Sequence, residues 1–201
     1  MDLSLKGPQG WVYRGVSFEA EPGSLVCVAG ASGSGRTSLL LTLAGRMRKA
    51  TGKFAVAGEQ KPRRIHRVAA LAVLPGVNDL EPQLTVDEHA RERLTGMGWM
   101  TRPTGRKRTQ EALKAVGLGG LDTRMTANRL SPVQLTLFGV ALALLERPRL
   151  LLVDDVGRGV TDERLNEVWE PLGNLPLTVV AACLNPSPHA SVVVELPLDR
   201  G

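Results

Sequence analysis

The feature that most constrains this chain is a glycine-rich turn, Gly30-Ala31-Ser32-Gly33-Ser34-Gly35-Arg36-Thr37-Ser38. It follows a short, wholly apolar run, Leu25–Ala29, which is preceded by the turn signal Glu21-Pro22-Gly23 and reads as a buried strand. After it, residues 37–46 carry Leu39, Leu40, Leu43 and Ala44 at helical spacing. The turn fits the pattern G-x-x-x-x-G-K-[ST] at every position except Arg36, where lysine is expected. A polyphosphate needs closely packed backbone N–H donors, and bulky side chains would keep the chain from wrapping it. Glycine at positions 30, 33 and 35 meets that need, because glycine reaches positive φ at little steric cost. The following helix aims its free N–H groups and positive dipole end at the same anion. Residues 30–38 are therefore the candidate phosphate site, with the Thr37 hydroxyl placed for a divalent cation. A glycine turn without a ligand is the competing reading; the position after a strand and before a helix argues against it. Arg36 keeps the lysine's charge but is larger, planar and forked, so the exchange is not conservative at a tight site.

The rest of the chain alternates strands and helices. Segments 2–5 and 11–18 flank Gly7-Pro8-Gln9-Gly10 as a hairpin, and short strands are expected at 53–57 and 68–74. Residues 85–121 turn helical and charged, with glycine and proline breaks around 96–105, and read as a small helical insertion. Residues 131–145 form a helix stopped by Arg147-Pro148; 149–153 follow as an apolar strand ending in Asp154 and Asp155. A helix at 163–169 and strands at 177–183 and 191–196 complete the pattern. Such alternation predicts an α/β sheet whose later strands are parallel, with ligand at their carboxyl ends.

At 201 residues, 43% hydrophobic, the chain can build one substantial core, and with 3% aromatics that core rests on Leu, Val and Ala. The net charge of +5 comes with basic clusters at 46–53, 61–67 and 102–108, which suit phosphates, nucleic acid or anionic membranes but equally a solvated face. Cys27 and Cys183 each lie in an apolar run, so core packing is expected rather than a disulfide, which suggests a reducing, cytoplasmic home. No signal peptide is visible at the start, and the longest apolar run, 135–145, is too short to span a bilayer. Membrane association would come through a partner.

The second half of the chain carries a family resemblance. Asn128-Arg129-Leu130-Ser131-Pro132-Val133-Gln134 precedes an apolar helix, then Arg147-Pro148-Arg149, then Leu150-Leu151-Leu152-Val153-Asp154-Asp155. This order resembles the ABC ATPases, in which an LSGGQ-like signature opens a helix leading to the Walker B strand. Segments 24–41, 84–88 and 112–122 resemble the family as well, so the likeness covers nearly the whole chain. The resemblance implies a single P-loop domain over 1–201, a mixed sheet flanked by helices, and a small helical subdomain at approximately 77–130. It also implies ATP and Mg²⁺ as ligands, a transmembrane permease subunit and a second nucleotide-binding domain as partners, and a place at the inner face of the membrane. Nucleic acid is not expected as a partner, because ABC proteins that act on it usually carry two cassettes or long insertions.

Carried over residue by residue, the resemblance places ATP on residues 30–38 and Mg²⁺ on Thr37 and Asp154. Asp155 stands where the family has the glutamate that polarises the attacking water, and Arg36 takes the catalytic lysine's place. Leu130, Ser131 and Gln134 would contact nucleotide bound by the second subunit. Ser131-x-x-Gln134 with Pro132 is also a helix capping box, which explains those residues by helix initiation alone. The departures are Arg36, Pro132, Val133, Asp155, Gly76 in place of a glutamine and Leu184 in place of a histidine. They touch most parts of the site and predict slow hydrolysis; a nucleotide-binding regulatory subunit paired with a competent cassette is the alternative. The adenine-stacking aromatic would align near Gly7, so Trp11 or Tyr13 would serve only with a shifted loop, and strand packing is their simpler role. Residues 159–162 resemble a D-loop with Asp162 as its acid. His66, His89 and His189 carry no visible role.

Overall fold

The computed structural model describes residues 2–47, 50–72, 74, 76–98 and 102–198. A five-stranded, wholly parallel sheet has the order β4 (Ala69–Leu71), β5 (Leu150–Val153), β6 (Thr178–Cys183), β3 (Leu25–Ala29), β7 (Val192–Glu195). The antiparallel part of the expected mixed sheet is a separate ribbon, β1 (Leu3–Gly7) with β2 (Gly10–Val16). Every residue of β3, β4 and β5 is buried, as expected of parallel strands covered on both faces.

The two-residue period of the strands sorts this apolar surface into two cores. Cys27, Leu151, Val153, Val179, Ala181 and Cys183 face a cluster shared with Val86, Ala90, Phe138, Val140 and Trp169. Val26, Val28, Leu150, Leu152, Val180 and Ala182 face the other, shared with Leu39, Leu40, Ile65 and the ribbon's Leu3, Leu5 and Tyr13. On the first face lie α3 (Val86–Gly96), α4 (Arg102–Ala115), α5 (Pro132–Leu144) and α6 (Asn166–Gly173). On the second lie α1 (Arg36–Leu43) and α2 (Pro62–Val68).

Several expectations need correction. The strand at 53–57 does not form; only Val56 and Glu59 make an isolated bridge, and Ala57 and Gly58 at positive φ turn the chain. The strand expected at 68–74 is shorter, because Val68 ends the basic helix α2; Val73 lies outside the described residues. The break expected around 96–105 is narrower, since α4 already begins at Arg102; Trp99, Met100 and Thr101 lie outside the described residues, as do Arg48 and Lys49 of the first basic cluster. Cys27 and Cys183 are not separate core thiols but a disulfide joining the neighbouring strands β3 and β6. The argument from cysteines to a reducing compartment falls with that finding.

Candidate functional site

β3 runs directly into the glycine turn, and Gly30 N–H donates to the Cys183 carbonyl at 3.2 Å, which ties the turn to the end of β6. Two glycines make the fit possible. A Cβ on Gly30 would stand 2.7 Å from the Leu196 carbonyl oxygen, and one on Gly35 would collide with the carbonyl of Val12 on β2. Gly35 has φ +88 and is the N-cap of α1, whose side-chain cap is absent; an anion can meet the free N–H groups there.

Within this turn two polar atoms are buried without a hydrogen-bond partner: Ser34 Oγ and Arg36 Nη1. Such groups cost free energy unless something satisfies them, and here a polyphosphate would. Thr37 Oγ1 donates to Asp154 Oδ2 at 2.7 Å, so the first turn of α1 and the end of β5 meet. Mg²⁺ is held by few protein oxygens together with phosphates, and this hydroxyl–carboxylate pair fits it. Thus the residues present suit both ATP and its cation. Among the described residues no group of three or more His, Cys, Asp or Glu gathers as a metal cluster.

Asp155 follows at φ 49, a left-handed conformation that aspartate tolerates better than most residues. Its Oδ1 lies 3.9 Å from Arg36 Nη2 and its Oδ2 lies 4.0 Å from Arg158 Nε. A cleft of about 830 Å³ opens beside it, lined by Asp154, Asp155, Arg158, Asp79, Leu130 and Pro132 among others. The fold therefore brings the ends of β4 and β5, the loop before α3 and the start of α5 to one place. Gly159 reaches Pro132, where a Cβ on the glycine would be 3.6 Å from the ring, so the turn after β5 meets the start of α5.

Ser131 and Gln134 are engaged with each other. Ser131 N–H donates to Gln134 Oε1 at 3.0 Å, and Gln134 N–H donates to Ser131 Oγ at 3.3 Å. That reciprocal pair is the capping box which starts α5, with Pro132 at its head. Tyr13 has a packing role: it is buried, its hydroxyl lies 2.6 Å from Thr42 Oγ1, and burial raises its pKa above the usual phenol value. Trp11 is half-buried, with Lys6 Nζ 5.5 Å and Arg14 Cζ 5.2 Å from its ring centroid. Leu184 is exposed, and His189 lies on the surface with Nε2 3.2 Å from Asn166 Oδ1. Gly76 donates its N–H to Asp79 Oδ2 at 2.8 Å, and Asn78 braces Leu74 and Ala72.

Three contributors escaped the sequence reading. His89 is buried, its Nε2 is 3.0 Å from the Glu81 carbonyl oxygen, and it meets Phe138 edge-on, so it steadies the loop that walls the cleft. The signal was present: Val86, His89, Ala90 and Leu94 share one helical stripe. Asp79 and Arg158 left no comparable trace, since both lie in exposed turns.

This architecture is that of a P-loop NTPase of the ABC ATPase type. Solved cassettes match it, among them an ABC transporter ATP-binding protein from Pyrococcus furiosus at TM-score 0.76, 17% identity and 98% coverage of both chains. The cbiO1 protein from Clostridium perfringens, part of the ABC transporter complex cbiONQ, matches at TM-score 0.73 and 18% identity, covering 92% of this chain and 80% of that one. At such identities the likeness establishes the fold alone. The family follows from sequence: the ABC transporter family model matches residues 13–157, and the chain belongs to that family. A ribose import ATP-binding protein (RbsA 2) of Rubrobacter xylanophilus is 30% identical over 81% of this chain and 32% of its own length. An Fe(3+) ions import ATP-binding protein (FbpC) of Brucella suis is 34% identical over 70% of this chain and 39% of its own length. The chain thus spans about a third of the length of these curated relatives.

Proposed function

We propose that this chain is the ATP-binding subunit of an ABC-type transporter, which binds Mg·ATP at residues 30–38 and couples ATP binding and hydrolysis to a separate membrane subunit. The observation that carries this reading is the pair of buried, unpartnered atoms in the glycine turn, Ser34 Oγ and Arg36 Nη1. Leaving such a group unsatisfied costs about 1–3 kcal/mol, and phosphate oxygens accepting from both offset that cost. In this reading the backbone of Gly30, Ala31, Ser32, Gly33, Ser34 and Gly35 cradles the phosphates, with Arg36 and Ser38 beside them. Thr37 and Asp154 hold Mg²⁺, whose bound charge would polarise the phosphoryl oxygens. Asp155 orients the attacking water.

Leu130, Ser131 and Gln134 would approach the nucleotide of a second cassette, a copy of this chain or a different one. A dimeric cassette with ADP and phosphate is known among the structural relatives. Residues 77–130, approximately, are read as the helical subdomain insertion. No helix among the described residues is long and apolar enough to cross a membrane. A membrane-embedded partner would hold the chain at the inner face, and the curated relatives named for import support transport as its setting.

Isothermal titration with Mg·ATP and Mg·ADP, followed by a phosphate-release assay, tests this. Saturable binding is expected, with slow turnover, because Asp155 is one methylene shorter than glutamate and small misplacements of a reacting group cost large factors in rate. No binding by the purified chain overturns the proposal. Fast turnover by the isolated chain overturns the expectation that Arg36 and Asp155 slow the chemistry.

A further inference from the structure

Of the charges around Asp155, the proposed function leaves Arg158 without a role. Its two carboxylate oxygens are divided between two guanidinium groups, Arg36 at 3.9 Å and Arg158 at 4.0 Å. Both separations exceed hydrogen-bond length, so each is a loose ion pair. The two arginines differ in setting. The Arg36 side chain is only 11% exposed and belongs to the first residue of α1. The Arg158 side chain is 65% exposed, on a turn closed by its own N–H donating to the Asp155 carbonyl at 3.0 Å. Asp154, Asp155 and Arg158 line the same cleft.

We infer that Arg158 is a positioning residue for nucleotide binding: it takes over the Asp155 carboxylate when Arg36 turns its charge to the polyphosphate. The inference rests on residues 30–38 being the nucleotide site. Asp155 beside Nη2 and an incoming phosphate at the unpartnered Nη1 both draw on the charge of the Arg36 guanidinium. An anion at the glycine turn would also meet Asp155 as a like charge on the far side of Arg36. In a partly buried site that repulsion is felt more strongly than in water. Arg158 is tethered three residues along the same turn and neutralises Asp155 wherever Arg36 goes. The looseness of both pairs makes the exchange easy, because neither contact is a strong hydrogen bond to break. Arg158 need not touch the nucleotide to do this; its effect passes through Asp155.

A double-mutant cycle separates this role from a direct phosphate contact. Calorimetric titration with ADP in the presence of Mg²⁺ would be run on the 201-residue chain and on Arg158→Ala, Arg158→Lys, Asp155→Asn and the Arg158→Ala/Asp155→Asn pair. Arg158→Ala should weaken ADP binding by roughly 3- to 10-fold, the size of coupling that partly exposed charge pairs reach at low salt. Arg158→Lys should restore most of the affinity. With Asp155→Asn in place, the alanine substitution should change affinity by less than about 2-fold, since no carboxylate is left to neutralise. Raising the salt concentration should shrink the Arg158→Ala effect. Thermal unfolding of each variant shows whether it is folded, and the lysine variant and the pair carry the test if Arg158→Ala alone is unstable. Equal losses with and without Asp155 would mean a direct contact or a purely structural role and would overturn the inference, as would an unchanged affinity in Arg158→Ala. Failure of the unsubstituted chain to bind ADP would overturn both this inference and the proposed function.

Discussion

Gly35 holds φ +88 with the carbonyl of Val12 pressed against the place where a Cβ would stand. No flexible side chain can move aside there, because the obstacle is backbone of β2. Gly35→Ala should therefore destabilise the chain by about 2–3 kcal/mol, combining left-handed strain with displacement of the turn. Urea unfolding measures the first effect, and Mg·ADP titration should show that binding is lost with it. An unchanged midpoint would mean that β2 gives way. The phosphate turn was legible at this scale because its glycines are themselves the mechanism. The charges around it were not: Arg158 sits between Gly157 and Gly159 in a turn, and nothing local announces that it faces Asp155. His89 was passed over for a different reason, since its helical stripe was visible but it lies in a polar stretch.

At the scale of elements, α3 and α5 begin with the same device, a reciprocal pair in which the cap side chain and the residue three positions on satisfy each other's N–H groups. For α5 it was readable as Ser131-x-x-Gln134, and removing it with Ser131→Ala should cost about 1 kcal/mol in denaturant unfolding. A negligible loss would mean that Pro132 alone starts the helix. For α3 the partner is Glu88, whose pKa is lowered first by the hydrogen bond with the Thr85 hydroxyl and next by that with the Thr85 backbone N–H. A carboxyl with a depressed folded pKa contributes stability above its unfolded pKa and loses it as pH falls through the folded value. The unsubstituted chain should thus lose stability relative to Glu88→Gln as pH drops below the ordinary glutamate range, and parallel thermal midpoints for the two across pH 3–7 (a range spanning the usual glutamate value) would contradict this. Other elements were harder to read. A strand was expected at 53–57, yet the turn at Ala57 and Gly58 leaves only one bridge there. In α2 the basic run hid the helix, although Pro62 at its first turn was a usable sign.

The whole molecule decides what local patterns leave open, and the cysteines show it best. Both were placed in the right strands, but whether they meet depends on strand order, and that order puts β6 beside β3 although 156 residues of chain separate the two sulfurs. Non-local pairing of this kind has no sequence period to reveal it. The consequence is measurable, because a cross-link closing so long a loop restricts the unfolded chain strongly. Loop-entropy reasoning puts the stabilisation on the order of 5 kcal/mol. For a chain of this length that corresponds to a Tm roughly 10–20 °C lower once the bond is reduced or both cysteines are changed to alanine. Alanine is the right probe, since Cys27 and Cys183 are both fully within the core and a hydroxyl there would add its own desolvation cost. The double alanine variant still loses some sulfur packing, so the comparison that isolates the cross-link is the oxidised chain against the same chain in reductant. Thiol titration in denaturant without reductant should find no free thiol. Two free thiols, together with a Tm indifferent to reductant, would show that the strands hold their order without the bond.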